Sequence, residues 1–409
     1  MKRLKLVLSL YACEPHRGSE PGVGWAWALG MAKRHDTYVL TRANNREVIE
    51  EALAKLQLPE TETPKFIYVD LSPMMLKLKK KGMPITLYYL LWQFKACKAL
   101  NSLNLNADII HHITFCSFAC PGVWWRRKEK VVLGPVGGMC ICPPAFFRLF
   151  KGSKLVKEVV RTFVLKLWRF NVFYHLSKKY ADAMLFVDKP TQDIVGQGAK
   201  LATLMIDTAV PIELESSQYD ALPEKQNQFV FAGILEPRKG FEIAVRAYGQ
   251  AFSGVEEKPI LKVFGSGPEI DRYKELVSEL GLCDSIVFQG RVPQTLLWDE
   301  ISRSKALVFP SVRDTCGCVT QEALAVQTPV ICFNHQGVSE VTDEACAFRV
   351  EPSDWDTAIS GFATAMKELH DNPKRVERMG QAGRKRVLQF FTWDMKFDGA
   401  SKIYERVLK

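Results

Sequence analysis

No stretch of the chain strings together the ~18 apolar residues that a membrane-spanning helix needs. No C-x-x-C spacing occurs among its eleven cysteines. The closest pairs, Cys140/Cys142, Cys316/Cys318 and Cys116/Cys120, suit neither a usual zinc site nor a disulfide framework. An odd count without such spacing points to reduced thiols in a cytosol. Acids are scarce in one place, since Glu158 is the only one between Phe146 and Tyr180. No nucleic-acid recognition motif accompanies the basic charge, which argues against a nucleic-acid partner.

What is there describes a globular enzyme-sized chain. Its 409 residues exceed one ordinary core, so two domains are expected. A hydrophobic fraction of 47% with 24% charged residues is ordinary for a packed protein. The net charge of +10 favours anionic partners. The opening "MKRLKLVLSLYACEP" mimics a signal peptide, but its apolar run is short for one. Leu4–Leu10 reads better as a buried first strand, because a turn and a helix follow at once.

The first half alternates apolar runs with helical patterns. "LKLVLSL", "TYVLT", "KFIYVDL", "ADIIHHI", "KVVLGPV" and "AMLFV" read as strands buried on both faces. Gly24–Lys33, Arg46–Lys55 and Ile85–Leu103 read as helices between them. Residues 207–228 break the rhythm; polar and without period, they read as a linker. A second series then begins, with strands "QFVFAGI", "ILKVFG", "SIVFQG", "ALVFP", "PVICF" and "ACAFRV". The expected fold class is α/β, two Rossmann-like doubly wound parallel sheets with a cleft between them and ligands at the carboxyl ends of the strands.

The stretch "SVRDTCGCVTQEALAVQTPV" carries the densest chemistry. "ALVFP" ends as a strand, Thr315–Cys318 is a turn of small residues, and a helix begins at Val319. Amides around Gly317, Cys318 and Val319 at the helix start would suit an anion. Asp314 precedes the turn and Glu322 lies one turn inside the helix, so the carboxylates could accept bonds from sugar or ribose hydroxyls. The plain alternative is a helix start with a capping Asp and a solvated Glu. Arg238 and Lys239, in "FAGILEPRKGFEIAVRA", would neutralise a diphosphate and stabilise it as a leaving group. "VFGSGPE" and "FQGRVPQ", the latter holding Val292, add two more strand-to-loop turns on that rim. A D-x-D occurs in "SDWDTAI", where Ser353 or Asp354 reads as a helix cap rather than a metal ligand.

In order and separation, "RGSEPGVGW", "ADIIHHITF", "GILEPRKG", "VFGSGPE", "FQGRVP", the D-x7-E pair and "FTWDMKFDGASKIYERVL" resemble the retaining glycosyltransferases of family 4, which have the GT-B fold. The resemblance implies that Glu322 holds the donor ribose, that Asp314 lies near the transferred sugar, and that Lys239 contacts the donor diphosphate. It counts Val292, Gly317, Cys318 and Val319 among donor-binding positions. It implies that Gly18 and Gly22, in a loop whose plain alternative is a surface turn, approach the diphosphate from the first domain, and that His111 faces the reacting sugar while His112 points away, with core packing as the plain alternative. Two positions depart from the pattern. Asp314 stands for the usual Glu, and Ile234 for an arginine, with Arg238 as the substitute cation.

The function implied is hexosyl transfer with retention, from a nucleotide-sugar co-substrate to a saccharide or lipid-linked saccharide in polysaccharide or glycolipid assembly, with no metal and no further cofactor. A nucleotide-sugar epimerase and a non-catalytic nucleotide-sugar-binding homologue are the alternatives. Residues 1–212 would form the acceptor domain and 222–391 the donor domain, with a closing helix at about 392–409 packing back on the first. The stretches 74–98 and 146–180 mix basic, apolar and aromatic residues, which fits contact with an anionic membrane surface. The expected location is cytoplasmic and peripheral, at the inner face of the plasma membrane.

Overall fold

The computed structural model describes residues 2–103, 105–221 and 223–409. The expected start of the second domain at Leu222 lies outside them. The chain forms two compact units. The first takes the residues up to Met139, then Leu165–Asp207 and Trp393–Lys409; the second takes Cys140–Val164 and Thr208–Thr392.

The first unit holds a parallel sheet of β1 (Lys5–Ser9), β2 (Asp36–Thr41), β3 (Lys65–Tyr68), β4 (Ile109–His112), β5 (Lys130–Val136), β6 (Ala183–Phe186) and β7 (Ala202–Leu204). Their order is β3-β2-β1-β4-β5-β6-β7. The second unit holds β8 (Gln228–Ala232), β9 (Ile260–Phe264), β10 (Ile286–Gly290), β11 (Leu307–Phe309), β12 (Val330–Phe333) and β13 (Ala347–Val350), in the order β10-β9-β8-β11-β12-β13 and likewise parallel. Each order reverses direction after its first strand, which is the doubly wound pattern. The unbroken apolar runs have a plain cause: β4, β6, β8 and β12 are buried at every residue, so neither face calls for polar side chains. The edge strand β7 was not expected from sequence; three half-exposed residues leave too little signal.

In the first unit, the closing helix Trp393–Leu408 packs against the helix Ser19–Ala32. Gly30 makes the approach feasible, because a Cβ there would lie 1.9 Å from the Phe397 ring. Arg34 then bridges Asp394 and Asp398 at 2.9 and 2.8 Å. The core beneath gathers Leu6, Leu8, Trp27, Ile109, Phe397 and Tyr404.

Cys140–Val164 joins the second unit because its apolar residues fill that core. Cys142, Phe146, Leu149 and Phe150 are buried beside Phe231, Phe241 and Phe333. Phe146 meets Phe333 with ring centroids 5.1 Å apart. The stretch read as a linker is also fastened there. Arg384 donates to the carbonyls of Leu214 and Ser216 at 2.9 Å each. Gln327 donates to those of Tyr219, Asp220 and Ala221. These bonds tie Leu214, Ser216 and Tyr219–Ala221 to the second unit.

Gly30→Ala should push the closing helix outward at a cost of about 1–3 kcal/mol. Thermal unfolding checks this; an unchanged melting temperature would contradict the packing described.

Candidate functional site

In a doubly wound sheet the loops at the reversal of strand order diverge and leave room for a ligand. In the second unit those loops follow β8 and β11. The first closes in a short turn, Pro237–Lys239, ended by Gly240 at φ 67°. A Cβ on Gly240 would lie 2.0 Å from the Pro310 carbonyl oxygen, so glycine lets the two loops touch. Two bonds stitch them: the Val312 amide donates to the Arg238 carbonyl at 2.9 Å, and Ser311 Oγ donates to the same oxygen at 3.2 Å.

This brings Asp314 to the two cations. Lys239 Nζ donates directly to Asp314 Oδ2. Arg238 Nη1 stands 3.6 Å from the same oxygen, and Ser311 Oγ lies 3.2 Å from it, its one proton shared between this carboxylate and the Arg238 carbonyl. Arg238 also pairs with Glu236 at 2.5 Å. The Lys239 and Asp314 side chains are only 13% and 14% exposed, so their charges meet with little water around them. The Asp314 amide donates to Gln336 Oε1 at 2.8 Å. Gln336 in turn donates to the Ile141 carbonyl at 2.9 Å, tying the Asp314 turn to the Cys140–Val164 segment.

The helix Cys318–Ala325 begins one turn later. Gly317 precedes it at φ 68° with no side-chain cap, so Asp314 does not cap this helix. A Cβ at Gly317 would lie 2.5 Å from the Phe309 ring. Cys318 is exposed at the helix start, with Gly317 and Val319 half-buried beside it. Glu322 is not the solvated residue of the plain alternative. It is 7% exposed, and its oxygens accept from Trp298 Nε1 at 3.0 Å and Gln294 Nε2 at 3.3 Å. Burial raises its carboxyl pKa, and the two donors partly offset that. Both donors come from the helix Gln294–Ser302, which follows the loop holding the half-buried Val292. Asp354 caps the helix Trp355–Asp371 by accepting from the Asp356 and Thr357 amides, as the capping reading of the D-x-D requires.

The first-unit candidates fare differently. Gly18 precedes the helix Ser19–Ala32, with open space where a side chain would go. Gly22 is inside that helix rather than in a loop, and a Cβ there would lie 2.0 Å from the Arg17 carbonyl oxygen. His111 is fully buried, with Nδ1 2.6 Å from Tyr404 Oη and Nε2 2.8 Å from the Gly134 carbonyl. With both ring nitrogens engaged inside the unit, His111 offers none to a sugar in this structure. His112 is equally buried, between Tyr89, Gln93 and Ser9. Burial lowers both imidazole pKa values to about 3. Alternation along a strand sends the two rings to opposite faces, but helices cover both.

Sequence reading missed Gln294, Trp298, Ser311 and Gln336, polar partners whose roles arise only from tertiary approach. It also fixed on the glycines of "RGSEPGVGW" and passed over Glu20. Glu20 accepts from the Phe115 amide, and burial, the largest influence, raises its carboxyl pKa to about 7.

Residues 214–386 match the family model of glycosyl transferases group 1. The group 1 match lies within the second unit and includes Arg238, Lys239, Asp314 and Glu322. Among curated relatives, D-inositol 3-phosphate glycosyltransferase from Streptomyces avermitilis is 26% identical over 200 residues, which is 46% of this chain and 41% of that protein. The matches span less than half the length of the first such relatives. Among solved structures, sucrose-phosphate synthase from Thermosynechococcus elongatus is similar with a TM-score of 0.64 at 20% identity, over 99% of both chains. Anabaena HepE in complex with UDP is similar with a TM-score of 0.61 at 14% identity, over 98% of this chain and 99% of that one. The fold is therefore GT-B, two Rossmann-like parallel-sheet domains.

A titration follows from Glu20. Its folded pKa of about 7 exceeds the ordinary value of 4.5, so between those values the folded chain holds a proton that the unfolded chain has lost. Wild-type stability should fall as pH rises through that window, by ~3 kcal/mol in total. Glu20→Gln removes the penalty, so its melting temperature relative to wild type should climb from pH 5 to pH 8. A difference that does not change with pH would contradict the assignment.

Proposed function

We propose that the chain is a retaining hexosyltransferase acting on a nucleoside diphosphate sugar. One observation carries the reading: the loops after β8 and β11 hold Lys239 and Arg238 against Asp314 at the reversal of the second sheet. A bound donor would present its diphosphate to Lys239 and Arg238, and Asp314 would be released toward the sugar. Amides at Gly317, Cys318 and Val319 would add to the anion site. Glu322, fixed by Gln294 and Trp298, would accept from the ribose hydroxyls. Val292 would line the nucleotide side, and Gly18 and Gly22 belong to the donor contacts that the resemblance implies.

As the bond to the anomeric carbon breaks, negative charge collects on the leaving diphosphate, and Lys239 and Arg238 stabilise it. The acceptor hydroxyl attacks from the same face and passes its proton to the departing phosphate oxygen. This reading assigns no metal, because the charge is met by side chains. The acceptor is a saccharide or lipid-linked saccharide in polysaccharide or glycolipid assembly. The setting is cytoplasmic and peripheral, on an anionic membrane surface.

A non-catalytic, nucleotide-sugar-binding reading draws on Ile234, which is 48% exposed in the loop where the resemblance expects an arginine. Incubation with nucleotide sugars and candidate acceptors separates the two: sugar transfer supports the first reading, and binding without turnover supports the second.

Lys239→Ala should lower kcat by about 10²–10³ while weakening nucleotide binding less. Glu322→Ala should chiefly weaken nucleotide binding, read by thermal shift or calorimetry. Near-normal kinetics in both variants would overturn the site.

A further inference from the structure

The helix Ser153–Lys166 packs with its faces reversed. Glu158 is its one buried residue, and Leu155 is the apolar side chain it turns to the core. The inward face is otherwise polar. Lys154 pairs with Glu269, Glu158 pairs with Arg313 at 3.2 Å and Arg161 at 3.5 Å, and Arg161 donates to the Cys140 carbonyl at 2.9 Å. The outward face carries the apolar stripe Val156, Val159, Val160, Phe163 and Val164, at 63%, 46%, 53%, 63% and 57% exposure. That spacing is one continuous helical face. Lys151, Lys157 and Lys166 are exposed around it, and no exposed acid occurs from Cys140 to Tyr180. By contrast the helix Ile85–Ser102, in the other basic and apolar stretch, turns Tyr88, Tyr89, Trp92 and Leu100 to the core.

We infer that the outward face of Ser153–Lys166 docks on an anionic lipid bilayer. Valines and a phenylalanine flanked by lysines, without acids, match the acyl boundary and the headgroups respectively. A second copy suits the face less well, since a two-fold interface would bring the same lysines together from both sides. The inference deepens the membrane part of the proposed function by naming the surface. The inward salt bridges hold the helix, so its outward side chains are free to insert without unfolding anything.

Flotation with vesicles of phosphatidylcholine, alone or mixed with phosphatidylglycerol, tests it without sugar donor or acceptor. Failure would therefore remove the docking surface and leave the transferase reading intact, whereas turnover on a soluble acceptor tests that reading alone. The chain should float with anionic vesicles and much less with neutral ones. Val160→Asp/Phe163→Asp should lower the partition at least about tenfold. Lys151→Ala/Lys157→Ala/Lys166→Ala should lower it about a hundredfold on anionic vesicles only. Light scattering on the same proteins reports association. No binding to either vesicle, parent-like binding by both variants, or a dimer abolished by Val160→Asp/Phe163→Asp would overturn the inference.

Discussion

The contact between Lys239 and Asp314 is the constraint on which the second unit's site rests. It joins loops that diverge where the strand order reverses, and so gathers two cations and a carboxylate at that point. Desolvating the two groups offsets much of their attraction, so such a pair contributes little net stability. It does specify position. A ligand with more negative charge than one carboxylate can take the cations over without a large loss. Under the proposed function, then, the pair serves as a placeholder that keeps both cations ordered until the donor arrives.

The surrounding packing makes that arrangement rigid. Gly240 removes the side chain that would hold the two loops apart, Gly317 removes one that would strike the Phe309 ring, and Gln336 links the Asp314 amide to the Cys140–Val164 segment. Arg313, next to Asp314, is anchored by the buried Glu158 of the reversed helix. The helix that exposes the apolar stripe is thus bonded to the loop that carries the candidate site. Glu322 stands apart from this network, on its own pair of donors, consistent with a separate role toward the nucleotide.

Much of the fold was legible because doubly wound sheets write themselves as unbroken apolar runs. All six strands of the second unit, and six of the seven in the first, coincide with such runs. Missing were features that local pattern cannot encode. Phe146 and Phe150 belong to the stretch read as contacting a membrane surface, and only packing shows that they fill the second core. The segment after Asp207 looked like a free linker because its fasteners, Arg384 and Gln327, lie far along the chain. Lys239, Arg238 and Asp314 stood out because charge in a strand-to-helix loop is conspicuous, but that they meet one another was not readable. His111 stood out for a similar reason, a histidine at a strand end, while its bond to Tyr404, from far along the chain, was not readable.

The central claim is that the cations leave Asp314 for a diphosphate. A crystal structure of the chain with a bound nucleoside diphosphate sugar tests it most directly. The account predicts diphosphate oxygens on Lys239 Nζ and the Arg238 guanidinium, with the Lys239–Asp314 contact broken. A diphosphate bound elsewhere, with that contact intact, would contradict it.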